Sequence, residues 1–492
     1  MANSQSFALL VLLAAGVGLV AVLSSHLTTW VRIPSPALFL VFAAVAVKVI
    51  PALHAPPELA AERVVTIALV CILFDGGMHI GWSRLRPAVA PIAAVGVAGT
   101  FLTVAAGTVL AHVAFHLSWF VALLLATAVA PTDPAVVFSV LGQREISGRS
   151  GTILEGEAGA NDPVGIALMT GVIAAGGVSA AAFAHVGGQF VLQMGVGGLV
   201  GVAGGRALLW FMRRVPLPSE GLYPLRTMAS AFVLFALAAL AHGSGFLAVF
   251  VAGIVIGDER APYKREIERF HSALASLGEI VAFIVLGLTV DIAELGHLDV
   301  WLPGLVLGAG LALVIRPALV GLCLIPARLQ RNERTFVLFA GLKGAVPILL
   351  GSYLIAAHEP DSTRLYGIVV VVVVFSVVLQ GGLVPVVARL LHVPMRTVEQ
   401  EPWALGVRLQ DEPDEAHRFT VAPGSPADGS TIAGLAGLPN DAWISFVVRD
   451  GRLVTARGGT RLQVGDVVVV LAESDVGNTL STAFGGPDPA GA

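Results

Sequence analysis

The sequence predicts an all-α polytopic membrane protein of about thirteen transmembrane helices, followed by a small α+β domain. Three observations carry that prediction. Of 492 residues, 56% are hydrophobic and 13% charged, whereas soluble domains carry about 25% charged residues. Mean hydropathy is +0.85. Apolar runs of about 17 to 25 residues, the length a ~30 Å hydrocarbon core requires, recur along the chain until the composition turns polar.

The spans fall near residues 6–24, 34–53, 63–81, 88–114, 119–141, 151–177, 188–211, 226–242, 244–257, 273–291, 300–325, 335–356 and 365–391. The first run, Phe7 to Leu23, has no basic residue before it and no small-residue cleavage pattern after it, so it reads as a span and not a signal peptide. Alternate loops hold nearly all the basic residues: Arg32; Arg84 and Arg86; Arg144 and Arg149; Arg213, Arg214 and Arg226; Arg260, Lys264, Arg265 and Arg269; Arg328, Arg331 and Arg334. Basic loops stay cytoplasmic. The expected protein therefore crosses the inner (plasma) membrane many times, with its N-terminus outside and its C-terminal domain inside. Cys71 and Cys323 lie in apolar runs and read as small hydrophobes with no disulfide role.

The transmembrane part is expected over 1–392. Residues 393–417, with "TVEQEPWALGVRLQDEPDEAH", read as an acidic linker. Residues 418–484 alternate apolar and polar positions, with turns at "RDGR" and "QVGD", as strands joined by hairpins do. So short a domain makes a marginal independent core, which favours pairing. The last stretch, 485–492, is expected to be disordered.

An ionisable residue at the bilayer centre costs about 2.5–3.5 kcal/mol, so each is a candidate functional residue. Span three carries Asp75, span five Asp133, and span six Glu157, Asn161 and Asp162; span eleven carries Arg316 and span twelve Lys343. At ~1.5 Å per residue these all lie near the midplane. The acids outnumber the bases, leaving negative charge that a cation or proton can balance. Two spans are broken. Prolines flank Asp133 in "APTDPA", and glycines and a proline surround Lys343 in "GLKGAVP". The breaks fall in spans five and twelve, equivalent places if span seven joins two inverted six-span halves. Paired interrupted helices mark a transporter's midplane site. Asp133 and Lys343 can each offset exposed helix-end dipoles. Glu157 with Arg316 reads as a structural charge pair, and Lys343 as a structural counter-charge. Asp162 is left with no partner. His79, His112, His116 and His242 read as interfacial, and Glu279 has no assigned role. No Walker, haem-attachment or zinc-ligand pattern appears, so no enzyme, cofactor or nucleic-acid partner is expected.

Together "LFDGG", "TDPAVVF", "GEAGANDP" and "GLKGAVPI" resemble the monovalent cation:proton antiporter-1 family, nearest to its NhaP-type potassium/proton members. The tail resembles the TrkA C-terminal (RCK-C) module. The resemblance implies an inverted-repeat fold with a core domain and a dimerisation domain, hence a homodimer in the lipid bilayer. It implies that Asp162 alternately binds cation and proton, with Asn161, Asp75, Thr132 and Asp133 completing the site and Asn161 holding Asp162 by a hydrogen bond. Glu157, Arg316 and Lys343 match its structural charges. Ala158 stands where the family commonly has serine, and Lys343 where it has arginine, which loses a bidentate fork. The expected function is exchange of a monovalent cation for H⁺ by alternating access, with K⁺ the first candidate and Na⁺ the second. A single carboxylate beside a neutral amide makes one-for-one, electroneutral exchange the expectation. The RCK-C domain would regulate it by binding a small ligand, such as a cyclic dinucleotide, between paired copies. Without a GxGxxG after a strand, NAD sensing is not expected. A cation channel is the rival reading, disfavoured because no TVGYG-like filter is present. A membrane sensor is another.

Overall fold

The computed structural model describes residues 16, 34–49, 55–141, 144–146, 148–357, 361–397, 415–435, 438, 442–449, 452–472 and 477–485. The first predicted span, most of the predicted linker, and residues 486–492 lie outside the described residues. The chain divides into two compact units, Met1–Arg396 and Thr397–Ala492.

In the first unit, spans two to thirteen appear in order. Helices α1 (Ser35–Val49) and α2 (Glu58–Leu85) come first. Helix α3 runs from Val89–Ala93 through a π turn, Ala94–Gly99, into Thr100–Phe115. Span five is two pieces, α4 (Trp119–Ala128) and α5 (Pro134–Leu141). Then come α6 (Arg149–Ala175), α7 (Ala180–Arg214), α8 (Leu222–Leu240), α9 (Gly245–Gly257) and α10 (Lys264–Leu288). Helix α11 (Leu298–Cys323) contains a second π segment, Leu311–Val320. Span twelve is again two pieces, α12 (Arg331–Phe339) and α13 (Ala345–Ala356). Helix α14 (Ser362–Leu390) contains a third π segment, Phe375–Gln380.

The order is repetitive. Spans four and eleven each carry a π segment, and spans five and twelve, next in line, are each broken. A π turn widens the helix and displaces side chains at functional sites. Proline explains the first break: Pro131 and Pro134 withhold two N–H donors, so residues 129–133 leave the helix. Glycines at 341 and 344 and Pro347 do the same for 340–344.

Helices α2, α9 and α10 pack closely. The seam between α2 and α9 is glycine on both sides. A Cβ on Gly77 would collide with the Phe250 carbonyl, and one on Gly253 with the Phe74 carbonyl. Small residues four apart let membrane helices approach at the backbone, as here with Gly77–Gly81 against Gly253–Gly257. Gly81 leaves helical geometry (φ 60, ψ 170), a region open to glycine. The Asp258 carboxylate secures this kink by accepting hydrogen bonds from the Ser83 N–H and from Ser83 Oγ (2.9 Å for the latter).

The second unit is a four-stranded antiparallel sheet, β1 (Glu415–Thr420), β2 (Trp443–Arg449), β3 (Arg452–Val454) and β4 (Val467–Ala472), in the order β1-β4-β2-β3. Helix α15 (Gly477–Phe484) packs on it, stacking Phe484 on Phe419 at 5.2 Å. The "QVGD" turn is present, with Gly465 at φ +86. In the "RDGR" hairpin, Arg449 pairs with Arg452, while Asp450 and Gly451 lie outside the described residues. Asp466 is fully buried and takes a two-pronged hydrogen bond from Arg449, both contacts 2.8 Å.

Candidate functional site

The two breaks meet. The Asp133 N–H donates to the Leu342 carbonyl at 2.8 Å, so the unwound segments cross in contact. A Cβ on Gly344 would overlap the Asp133 carboxylate, which makes glycine obligatory there. Crossing exposes helix ends, and each is compensated. Asp133 Oδ1 accepts the Ala135 N–H (2.8 Å) at the start of α5, and the Ala345 N–H at the start of α13 is hydrogen-bonded to the same side chain. A carboxylate thus faces two positive helix N-termini. Lys343 Nζ donates to the Ala130 carbonyl (2.8 Å), placing its ammonium at the negative end of α4. Ser376 Oγ accepts the Lys343 N–H (2.9 Å) and bonds Gln380 Oε1 (3.1 Å), and Gln380 Nε2 reaches the Phe339 carbonyl (2.6 Å).

Arg316 and Glu157 form a buried two-pronged ion pair, 2.6 Å and 2.9 Å, with 7% and 2% of each residue exposed. Arg316 also donates to the carbonyls of Leu338 (2.9 Å) and Val337 (3.2 Å), ending α12. From Glu157 the network runs outward. Thr132 Oγ1 donates to Glu157 Oε1 (3.4 Å) and accepts from Asn161 Nδ2 (2.6 Å), and the Thr132 N–H points at Asn161 Oδ1 (3.4 Å). The expected bond from Asn161 to Asp162 is therefore replaced by one to Thr132. The amide can fasten only one neighbour, and the unwound backbone offers it both a donor and an acceptor.

Asp162 stands apart. Among the described residues its carboxylate has no hydrogen-bond or ion-pair partner, and it is only half-buried. Asp133 and Lys343 act on it electrostatically. Pro163 follows it inside α6 and leaves the Gly159 carbonyl without its helix donor, supplying another oxygen at that level. Asp75 lies on α2, which packs against α6. Its Oδ1 is buried and accepts no hydrogen bond. His79 Nδ1 is 3.3 Å from it and donates to the Asp75 carbonyl (3.0 Å). Among the described residues, no three of His, Cys, Asp and Glu group into a metal cage.

Two polar residues near the site have surroundings the sequence does not show, and two others are not singled out by it. His79 is four residues from Asp75, a helical spacing that could have paired them. Glu279 Oε1 is buried without a hydrogen-bond partner and lies in electrostatic range of Asp133. Ser376 and Gln380 were concealed in a valine run, though two polar residues four apart at membrane depth are a signal.

Two crossed, interrupted helices beside an unpaired carboxylate, in a protein of many apolar helices, define a secondary transporter. The chain belongs to the sodium/hydrogen exchanger transmembrane family, whose profile matches residues 16–390, and residues 416–485 match the TrkA-C domain. It is therefore a membrane antiporter. Its relatives include "K(+)/H(+) antiporter NhaP" of Alkalimonas amylolytica, 34% identical over 426 residues, covering 85% of this chain and 74% of that protein. "K(+)/H(+) antiporter NhaP2" of Shewanella oneidensis is 31% identical, covering 86% and 74%. The sodium proton antiporter MjNhaP1 of Methanocaldococcus jannaschii shares the fold, with a TM-score of 0.65 at 20% identity, covering 80% of this chain and 98% of that one.

Proposed function

We propose that the protein exchanges K⁺ for H⁺, one for one, with Asp162 as the group that carries each in turn. The observation that carries this reading is the isolation of Asp162. Asp133, Lys343, Glu157 and Arg316 each have a partner or a helix end to neutralise, and among the described residues Asp162 has neither. In the proposed cycle, an ionised Asp162 takes a cation, with oxygens from Asp75, Thr132, Asn161 and the Gly159 carbonyl completing a hard-ligand shell. Protonation removes that charge and releases the cation. Either occupant neutralises the carboxylate, so the loaded site crosses with the same charge in both directions. Asp133 contributes its field while holding the break. Glu157, Arg316 and Lys343 keep the crossing rigid. The names of the relatives support K⁺, and Ala158, which offers no hydroxyl beside Asp162, is in keeping with a cation larger than Na⁺.

Dimerisation is carried over from the family resemblance, with α7, the least buried of the long apolar helices, as the candidate interface. We place the membrane part over 1–392 and the regulatory domain over 418–484, in the inner membrane, N-terminus outside and TrkA-C domain cytoplasmic, from the distribution of arginines. The regulatory ligand is proposed as a cyclic dinucleotide bound between paired TrkA-C domains. Dye-reported proton movement in everted vesicles, with K⁺, Na⁺ and Li⁺ added in turn, tests the exchange. K⁺ should give the largest signal. A response to Na⁺ alone would overturn the K⁺ assignment, and downhill K⁺ flux without proton movement would indicate a channel.

A further inference from the structure

Where α2 begins, it and α10 meet α13 and α14 around a cavity of about 160 Å³. Its polar lining is Glu58, Thr289, Ser352 and Tyr366, set among apolar walls that include Ala61 and Leu286. The hydroxyl protons are all committed. Ser352 Oγ donates to the Leu349 carbonyl (2.7 Å), and Thr289 Oγ1 donates to the Leu286 carbonyl (2.8 Å). Thr289 has no second proton, so in its 2.7 Å bond with Tyr366 the tyrosine hydroxyl is the donor. The three oxygens have only lone pairs left to offer. Glu58, exposed at the rim, acts electrostatically on Tyr366, and Glu62, one turn along α2, acts on Tyr353.

Among the described residues, the lining side chains set hydroxyl acceptors under a carboxylate, and Glu58 in the first turn of α2 offsets the positive end of that helix. Such a lining suits a hard cation. Among the described residues one carboxylate lines the cavity, too little charge to hold a divalent ion against its water, whereas an alkali cation needs only oxygens. At ~30 Å³ per water, the space accommodates a monovalent ion together with part of its hydration shell.

We propose that this cavity is a second cation site, an antechamber that holds a partly hydrated monovalent cation on its way to or from Asp162. The Tyr366–Thr289 bond ties α14 to α10 at its wall, so the helices that form the antechamber are those that must shift against each other if access alternates. The proposal rests on the exchange reading and assigns it a one-sided feature, because the cavity lies at only one end of the helices.

The test uses the full chain in right-side-out and everted membrane vesicles, with K⁺-driven proton movement followed against K⁺ concentration at each face. Glu58→Gln should raise half-saturation at one face by about fivefold at low ionic strength, the order of the attraction between unit charges ~4 Å apart in water. The rate at saturating K⁺ should change by less. The shift should fade when N-methylglucamine chloride brings the screening length to ~3 Å at 1 M. Glu58→Asp should restore the wild-type value. Tyr366→Phe, which leaves the ring and removes one oxygen, should shift half-saturation at the same face. An unchanged value at both faces overturns the antechamber, and so does an equal rise at both, which is what damage to the shared site gives. Wild-type vesicles that move no protons with any monovalent cation would overturn the exchange reading itself.

Discussion

Replacing Glu157 with leucine removes one half of the buried ion pair and leaves Arg316 charged in a site where 7% of it is exposed. Two charge-assisted bonds, 2.6 Å and 2.9 Å, disappear, and the guanidinium keeps only the carbonyls of Leu338 and Val337. Breaking a buried pair from one side costs about 3–5 kcal/mol, chiefly the penalty of the stranded charge. The loss spreads, because Glu157 also receives Thr132, and Thr132 receives Asn161. Glu157→Leu should therefore lower the thermal midpoint in detergent and reduce exchange. Arg316→Met should do comparable damage by stranding the carboxylate. The double variant Glu157→Leu/Arg316→Met removes both charges and should recover about 0.5–3 kcal/mol of the summed loss, the range expected for residues in direct contact. The assay is unfolding of purified protein followed by tryptophan fluorescence, with exchange in proteoliposomes measured alongside. Strict additivity of the two single effects would refute the pairing as the source of stability.

Other perturbations test separate parts. Ala158→Ser places a hydroxyl on α6 one turn before Asp162 and should raise apparent Na⁺ affinity relative to K⁺; an unchanged ratio in competition assays would remove Ala158 from selectivity. Lowering the pH on the cation-loading side should raise half-saturation for K⁺, because a protonated Asp162 cannot take a cation, and raising it should lower half-saturation to a floor; half-saturation independent of pH would show that proton and cation do not compete. Truncation after Arg396 should leave a folded exchanger with an altered response to pH or added cyclic dinucleotide, and loss of all transport in a stable, inserted truncation would show that the tail does more than regulate.

The order of spans two to thirteen and the places of both breaks could be read directly from the sequence, because length, proline and glycine act locally. The partners at the crossing could be read only in part. Arg316 and Glu157 are 159 positions apart, and their pairing followed from charge and depth alone. Lys343 was read as a counter-charge, yet its contact is the Ala130 carbonyl, since an unwound backbone exposes acceptors that no residue pattern displays. Asn161 binding Thr132 in place of its neighbour Asp162 has the same cause. The π segments were invisible, because they come from one extra residue per turn and not from composition. The acceptor-only lining at Thr289, Ser352 and Tyr366 depends on which carbonyl each hydroxyl faces, which only packing decides.

The central claim is that one carboxylate, Asp162, carries either one cation or one proton. Its most direct test is the equilibrium reached in proteoliposomes with a fixed K⁺ gradient, read by an internal pH dye, with membrane potential set by an ion other than K⁺. A tenfold K⁺ gradient should hold a proton gradient of about one pH unit. That value should stay the same at every potential, and Asp162→Asn vesicles should hold none. A net charge carried in each cycle would couple at about 2.3 kcal/mol per 100 mV. A balance point that moves with voltage, or a gradient built by Asp162→Asn, would contradict the single-carboxylate exchange.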